Sequence, residues 1–150
     1  MFTNILVAAD GSEHAHKAID IGSDLAKKYD ANLTLLHVMT RAGSSRVPEE
    51  LQAYARLEHV EVTERDLLNS AADEILGRAA VRAREHGVAD PATVKEVGDP
   101  ARAIVDYAGN HGIDLVVMGR RGLGAVRELL MGSVSNKVAH AAQCTCVTVC

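Results

Sequence analysis

Aromatic side chains are scarce, at 3% of the 150 residues with no Trp and a single Phe. The stacking platforms on which single-stranded nucleic acids rest are therefore barely available. Positive charge is not in surplus either. The 16 Lys and Arg stand against 20 Asp and Glu for a net charge of −4, which weighs against nucleic acid as the main partner. No apolar run approaches the ~18 residues of a membrane-spanning helix, and the opening Met-Phe-Thr-Asn-Ile-Leu-Val lacks the charged start of a secretory signal. A cytoplasmic location, with no membrane contact, is the expectation. Cysteine is missing until Cys144, Cys146 and Cys150. Their number is odd, and the spacings Cys-x-Cys and Cys-x-x-x-Cys match neither a usual zinc pair nor a redox Cys-x-x-Cys. Reduced thiols in a terminal strand are expected, with Cys150 the member most open to oxidation between chains.

The residue sets of several chemistries are also missing. No Gly is followed by Lys and then a hydroxyl residue, so there is no Walker loop. Gly119, Gly122 and Gly124 have the spacings of the dinucleotide fingerprint reversed, and they follow a late strand rather than the first one. The histidines at 14, 16, 37, 59, 86, 111 and 140 are scattered. The pairs His14/His16 and His111/Asp114 lack a third ligand at usable spacing, so no metal site is expected. His37, at a strand end, reads as structural. No Ser-His-Asp arrangement stands out, and Cys144 has no placed base.

What is present is the composition of a globular protein: 47% hydrophobic and 24% charged residues. At this length one domain, spanning residues 1–150, buries roughly two thirds of its unfolded surface without disulfides or metal. Asn4 to Ala9 is an apolar run too short for a helix and suited to a buried strand. Asp10-Gly11-Ser12 ends it, Ser12 is a good N-cap, and Ala15, Ala18, Ile19, Gly22, Leu25, Ala26 and Tyr29 then recur at helical spacing. After the turn Asp30-Ala31-Asn32, Leu33 to Val38 is a second strand. Thr40 to Pro48 is rich in Arg, Gly and Ser and reads as a loop able to close over a ligand. From Glu49 a helical pattern runs to just before Gly87, with a first half, to about Ser70, that reads as a separate helix. Pro91 to Val97 suits a short strand, and Asp99 with Pro100 starts the next helix. Leu115 to Met118 is a fourth strand, a helix follows from about Ser133 to Ala142, and Thr145 to Val149 is a β-branched last strand. Five strands alternating with helices predict an α/β fold with a mostly parallel, doubly wound sheet.

The most informative stretch is Asp114 to Asn136. Strand four breaks into Gly119-Arg120-Arg121-Gly122, and nine residues later Gly132-Ser133 opens a helix. Glycines let backbone N–H groups approach an anion, and a helix N-terminus adds unpaired donors and a favourable dipole, so phosphate is the natural guest. Asp10, at the end of the first strand, has two readings: a hydrogen-bond acceptor for ribose or adenine, or a helix cap beside Ser12. Arg120 and Arg121 likewise read either as positive charge for the ligand or as a solvated loop, whereas Arg127 reads as solvated.

Gly-x-x-Gly, nine residues and Gly-Ser, preceded by Asp-Leu-Val-Val-Met, resembles the ATP-binding motif of the universal stress protein family. The Ile-Leu-Val-Ala-Ala-Asp-Gly-Ser opening, Leu-Thr-Leu-Leu-His-Val and Gly-Asp-Pro extend the resemblance over nearly the whole chain. It implies a Rossmann-like sheet of order 3-2-1-4-5 and an adenine nucleotide, ATP with or without Mg²⁺, cradled by Gly119, Arg120, Gly122, Gly132 and Ser133. It also implies that Ala8, Asp10, Val38, Met118, Val134 and Ser135 line the site, with the Ser133 and Ser135 hydroxyls as donors. A homodimer through Thr145–Val149 is implied as well, although Cys144-Thr145-Cys146 departs from the family's usual Cys-Pro-Val at that edge. With no placed base or Mg²⁺ cage, ATP hydrolysis is expected to be slow or absent. The alternative is a nucleotide-free dimeric interaction protein of the same fold. An electron-transfer-flavoprotein-like enzyme would need a further substrate domain for which 150 residues leave no room.

Overall fold

The computed structural model describes residues 1–40, 49–123 and 131–150. Its elements are β1 (Asn4–Ala8), α1 (Glu13–Tyr29), β2 (Asn32–Met39), α2 (Glu49–Leu57), α3 (Glu64–Glu85), β3 (Ala92–Val97), α4 (Pro100–Asn110), β4 (Leu115–Gly119), α5 (Ser133–Ala141) and β5 (Thr145–Val149). The five strands form one sheet in the order β3-β2-β1-β4-β5. Every neighbouring pair is parallel, with Ile5 opposite Leu33 on one side and Leu115 on the other. The expected order and class hold.

The alternation of side chains across the central strands makes two cores. Ile5, Val7, Leu33, Leu35, Leu115 and Val117 face α1 and α3, meeting Ala18, Ile19, Leu76, Ala79 and Ala83. Leu6, Leu36, Val116 and Met118 face α4 and α5, meeting Ala101, Ile104, Ala108 and Val138. Helices on both faces explain why β1 and β4 are continuous apolar runs rather than alternating ones. Each fully buried Leu, Ile or Val contributes on the order of 1.5–3 kcal/mol relative to exposure. The small Ala faces of α1, α3 and α4 let the helices lie close to the sheet.

Local chemistry sets the boundaries. Ser12 caps α1 by accepting from the Ala15 N–H at 3.1 Å, and Asp99 caps α4 by accepting from the Arg102 N–H at 3.0 Å, with Pro100 inside the first turn. Asp30 ends α1 in the left-handed conformation, φ 53°. One boundary differs from the sequence reading. The division between α2 and α3 lies at residues 58–63 rather than near Ser70. His59 takes a left-handed φ of 55°, and Thr63 opens α3 with a reciprocal capping box to Asp66. The expectation for the Thr40–Pro48 loop falls, beyond Thr40, outside the described residues, as do those for Gly124 and Arg127. No described helix is long and apolar enough to cross a membrane.

Candidate functional site

The strand order reverses between β1 and β4, because β1 leads into α1 on one face and β4 towards α5 on the other. The carboxyl ends of these strands therefore flank a crevice, the usual ligand position in an open parallel sheet. Asp10 follows β1, Val38 lies near the end of β2, and Met118 and Gly119 end β4. The expected residues thus converge from three strands and the start of α5. Ala8, Val38 and Val134 are half-buried and pack with buried Met118 on the α4/α5 face, an apolar wall on one side of the crevice.

Asp10 resolves part of its double reading. The cap of α1 belongs to Ser12, while Asp10 Oδ1 accepts from the Ser12 N–H at 2.9 Å and holds the turn. Its other oxygen faces Gly122, since a Cβ built on Gly122 would stand 2.6 Å from Asp10 Oδ2. Gly119 is required by close packing. A Cβ there would lie 2.7 Å from His14 Cβ, 2.9 Å from the His14 carbonyl carbon and 3.0 Å from the Ala15 nitrogen. The end of β4 rests directly on the first turn of α1.

Arg120 is the junction of the site through its backbone. Its N–H donates to the Val149 carbonyl at 2.7 Å, and its carbonyl accepts from the Gly132 N–H at 2.8 Å and the Ser135 hydroxyl at 2.8 Å. The Ser135 Oγ also lies 3.1 Å from the Gly132 carbonyl, and Ser135 is buried. The Gly132 N–H and the Ser135 hydroxyl hydrogen are therefore directed at protein carbonyls, where the resemblance implied donors for phosphate. The remaining donors are the N–H groups of the first turn, Ser133, Val134 and Ser135. Gly132 occupies the N-cap with no side-chain cap bond, so these groups sit at an uncapped, positive helix end. Ser133 itself is exposed.

Arg120 and Arg121 are half-buried rather than solvated. Among the described residues the Nε atoms of both, His14 Nδ1 and, away from the crevice on α1, Ser23 Oγ are buried without a hydrogen-bond partner. Buried donors without acceptors are costly, and natural proteins retain them where something else supplies the acceptor. An anion answers that description. The two arginine donors and the uncapped α5 terminus fit a phosphate group, while Gly122 and Gly132 are held close to the Asp10 carboxylate and the Arg120 carbonyl, where a Cβ would stand 2.6 and 3.0 Å from oxygen. The apolar wall from Ala8 to Val134 fits a flat base.

Other candidates behave structurally. His37 Nδ1 lies 2.7 Å from the Ala9 carbonyl, a bond that ties β2 to the end of β1. Cys144 and Cys146 are half-buried free thiols, and burial pushes both above the ordinary thiol range, which makes them poor nucleophiles. Cys150 is exposed. Among the described residues no three His, Cys, Asp or Glu side chains converge as a metal site. Two cavities, of about 260 and 330 Å³, lie at the end of β3 against α4 and between α3 and β3, and share no lining residue with the crevice. The crevice is distinguished by its chemistry rather than by its volume.

Comparison with known proteins places the chain in a family. The model of the universal stress protein family matches residues 1–149. The chain is 35% identical to the universal stress protein YxiE of Bacillus subtilis, over 96% of each chain. Its structure is similar to that of UspA from Lactobacillus plantarum, with a TM-score of 0.76 and 29% identity over 99% of this chain and 98% of that one. It is also similar to a universal stress protein solved in complex with cAMP, with a TM-score of 0.72 and 26% identity over 99% of this chain and 97% of that one. With the sheet order, the glycine turn and these matches in hand, the chain belongs to the universal stress protein family.

Proposed function

We propose that the chain binds an adenine nucleotide, ATP with or without Mg²⁺ in the first instance, in the crevice between β1 and β4, and acts as a nucleotide-dependent regulatory protein of the stress response in the cytoplasm. The observation that carries the reading is the pairing of an uncapped α5 N-terminus with two buried arginine nitrogens on the glycine turn that have no hydrogen-bond partner among the described residues. In this reading the phosphates meet the Ser133, Val134 and Ser135 N–H groups and the Arg120 and Arg121 side chains, while Asp10 Oδ2 accepts from the ribose. Ala8, Val38, Met118 and Val134 flank the base. The cAMP complex of a 26%-identical family member supports an adenine ligand. Hydrolysis is slow or absent, because Asp10 is the one carboxylate at the crevice among the described residues and already accepts from the Ser12 N–H.

Self-association belongs to the same proposal. β5 is an edge strand of Thr, Cys and Val with no charge to repel a second strand, which supports a homodimer through Thr145–Val149. A nucleotide-free, dimeric interaction protein is the second reading, favoured by the internal commitment of the Gly132 N–H and the Ser135 hydroxyl. Heat denaturation of fresh protein, followed by mass spectrometry of the released small molecules, separates the two. Adenine nucleotide recovered in proportion to protein supports the first. Its absence, together with no heat of ATP binding to the same preparation, leaves the second.

A further inference from the structure

Ser135 is buried at 2% exposure, in the first turn of α5, yet its hydroxyl reaches out of the helix to the Arg120 carbonyl at 2.8 Å. A serine hydroxyl has one hydrogen to give. Directed at Arg120, and at the Gly132 carbonyl at 3.1 Å, it is not available to a phosphate. The residue it grips is the same one that bonds the end of the edge strand, through Arg120 N–H to the Val149 carbonyl at 2.7 Å. Three hydrogen bonds thus run from β5 through Arg120 to the first turn of α5.

We propose that Ser135 is a positioning residue: it fixes the glycine turn against the α5 N-terminus and, through the Arg120 backbone, links nucleotide occupancy to the order of the β5 edge. The inference rests on the nucleotide reading above for its ligand, but its geometry stands without it. The hydroxyl bond holds Arg120 and Arg121 at a set distance from the uncapped N–H groups, so that one phosphate meets both. A ligand that orders the α5 turn then orders Arg120, and Arg120 carries Val149. Linkage is reciprocal, so an edge held by a second chain raises nucleotide affinity by the same factor.

The test combines amide hydrogen exchange with calorimetric titration of ATP·Mg²⁺, on wild type, Ser135→Ala and the isosteric pair Ser135→Thr and Ser135→Val. In ligand-free protein, loss of the hydroxyl should speed exchange of the Arg120 and Gly132 amides, while the Asn4 and Asn32 amides at the other end of the sheet stay as they are. ATP affinity should fall about tenfold, the scale of one net hydrogen bond, and Thr should restore what Val does not. ATP should slow exchange at Arg120 and across β5 in wild type and fail to do so across β5 in Ser135→Ala. If Arg120 and Gly132 exchange at wild-type rates in the Ala and Val variants, the positioning role is overturned, even if affinity drops. Wild type that binds no ATP would sink the nucleotide reading alone, because the ligand-free exchange comparison still decides the role of Ser135. Should Ser135→Ala not fold, the Thr and Val pair, matched in shape, carries the same comparison.

Discussion

The two ends of the sheet are built on opposite rules. At the amino ends of the strands polar side chains pair with one another. Asp114 accepts from the Thr3 N–H at 2.8 Å and the Thr3 hydroxyl at 2.7 Å, the Asn4 side chain donates to the Gly112 carbonyl, and the Asn32 side chain donates to Asn4. The carboxyl ends carry the buried nitrogens of His14, Arg120 and Arg121 with no partner among the described residues. The helices repeat the contrast. α1, α3 and α4 are capped by Ser12, Thr63 and Asp99, and α5 begins at a bare glycine. Local consistency serves stability, and its breach at the carboxyl ends is what the proposed ligand would complete.

The comparison can be broken most severely at Gly119. Gly119→Ala forces a methyl group into the backbone of α1, which cannot swing aside. Overpacking of this kind costs typically 1–3 kcal/mol, and the upper end is expected in a thermal or denaturant melt. A stability within experimental error of wild type would show that β4 and α1 do not meet as described. At the opposite end, Asp114→Ala should cost about 1–2 kcal/mol, since three donors lose one acceptor and water replaces part of it. Nucleotide affinity should not change, and a parallel loss of binding would mean the two ends are not separate.

Two smaller effects sharpen the contrast. Thr63→Ala removes the capping box of α3, worth about 1 kcal/mol, and should leave nucleotide binding unaltered. The smallest effect near neutrality is a pH dependence. The Arg82 hydrogen bond holds Asp20 below the usual carboxylate range, and for Asp114 the upward push of burial is outweighed by hydrogen bonds from Thr3 and Asn4. A carboxylate depressed in the folded state contributes stability that is fully present above its unfolded pKa of about 3.9 and is lost as pH falls through the folded value. Melts between pH 7 and 5 should therefore be flat with respect to these groups, with a decline below about pH 4 that Asp20→Asn and Asp114→Asn each reduce. An Asp114→Asn protein that loses stability in acid as steeply as wild type would contradict the assignment.

Much of the fold is legible in the chain because its signals are local. The unbroken runs Ile5–Val7 and Leu115–Met118 can only be strands covered on both faces, and Ser12, Asp99 and Pro100 mark helix starts by chemistry that acts within four residues. The break between α2 and α3 was misplaced because both segments carry small and apolar residues at helical spacing. The signal that decides it, Thr63 three residues before Asp66, is a capping box written with Asp in place of the more usual Glu. The glycine turn and its partner helix were legible from spacing, as were the carboxyl-end positions of Asp10 and Val38. The role of the Arg120 backbone was not, because it depends on Val149, Gly132 and Ser135 meeting one residue in space. The commitment of the Ser135 hydroxyl follows from that meeting alone.

The most direct test of the account is calorimetric titration of ATP·Mg²⁺ into nucleotide-stripped wild type and Gly122→Val. A valine at 122 displaces Asp10 from the turn without touching either core, so the account predicts binding by wild type in the micromolar range, about −8 kcal/mol, and loss of at least about a hundredfold in the variant, roughly 2.7 kcal/mol, with the melting temperature little changed. Equal binding by the two proteins, or none by wild type, would contradict the assignment of the carboxyl-end crevice as a nucleotide site.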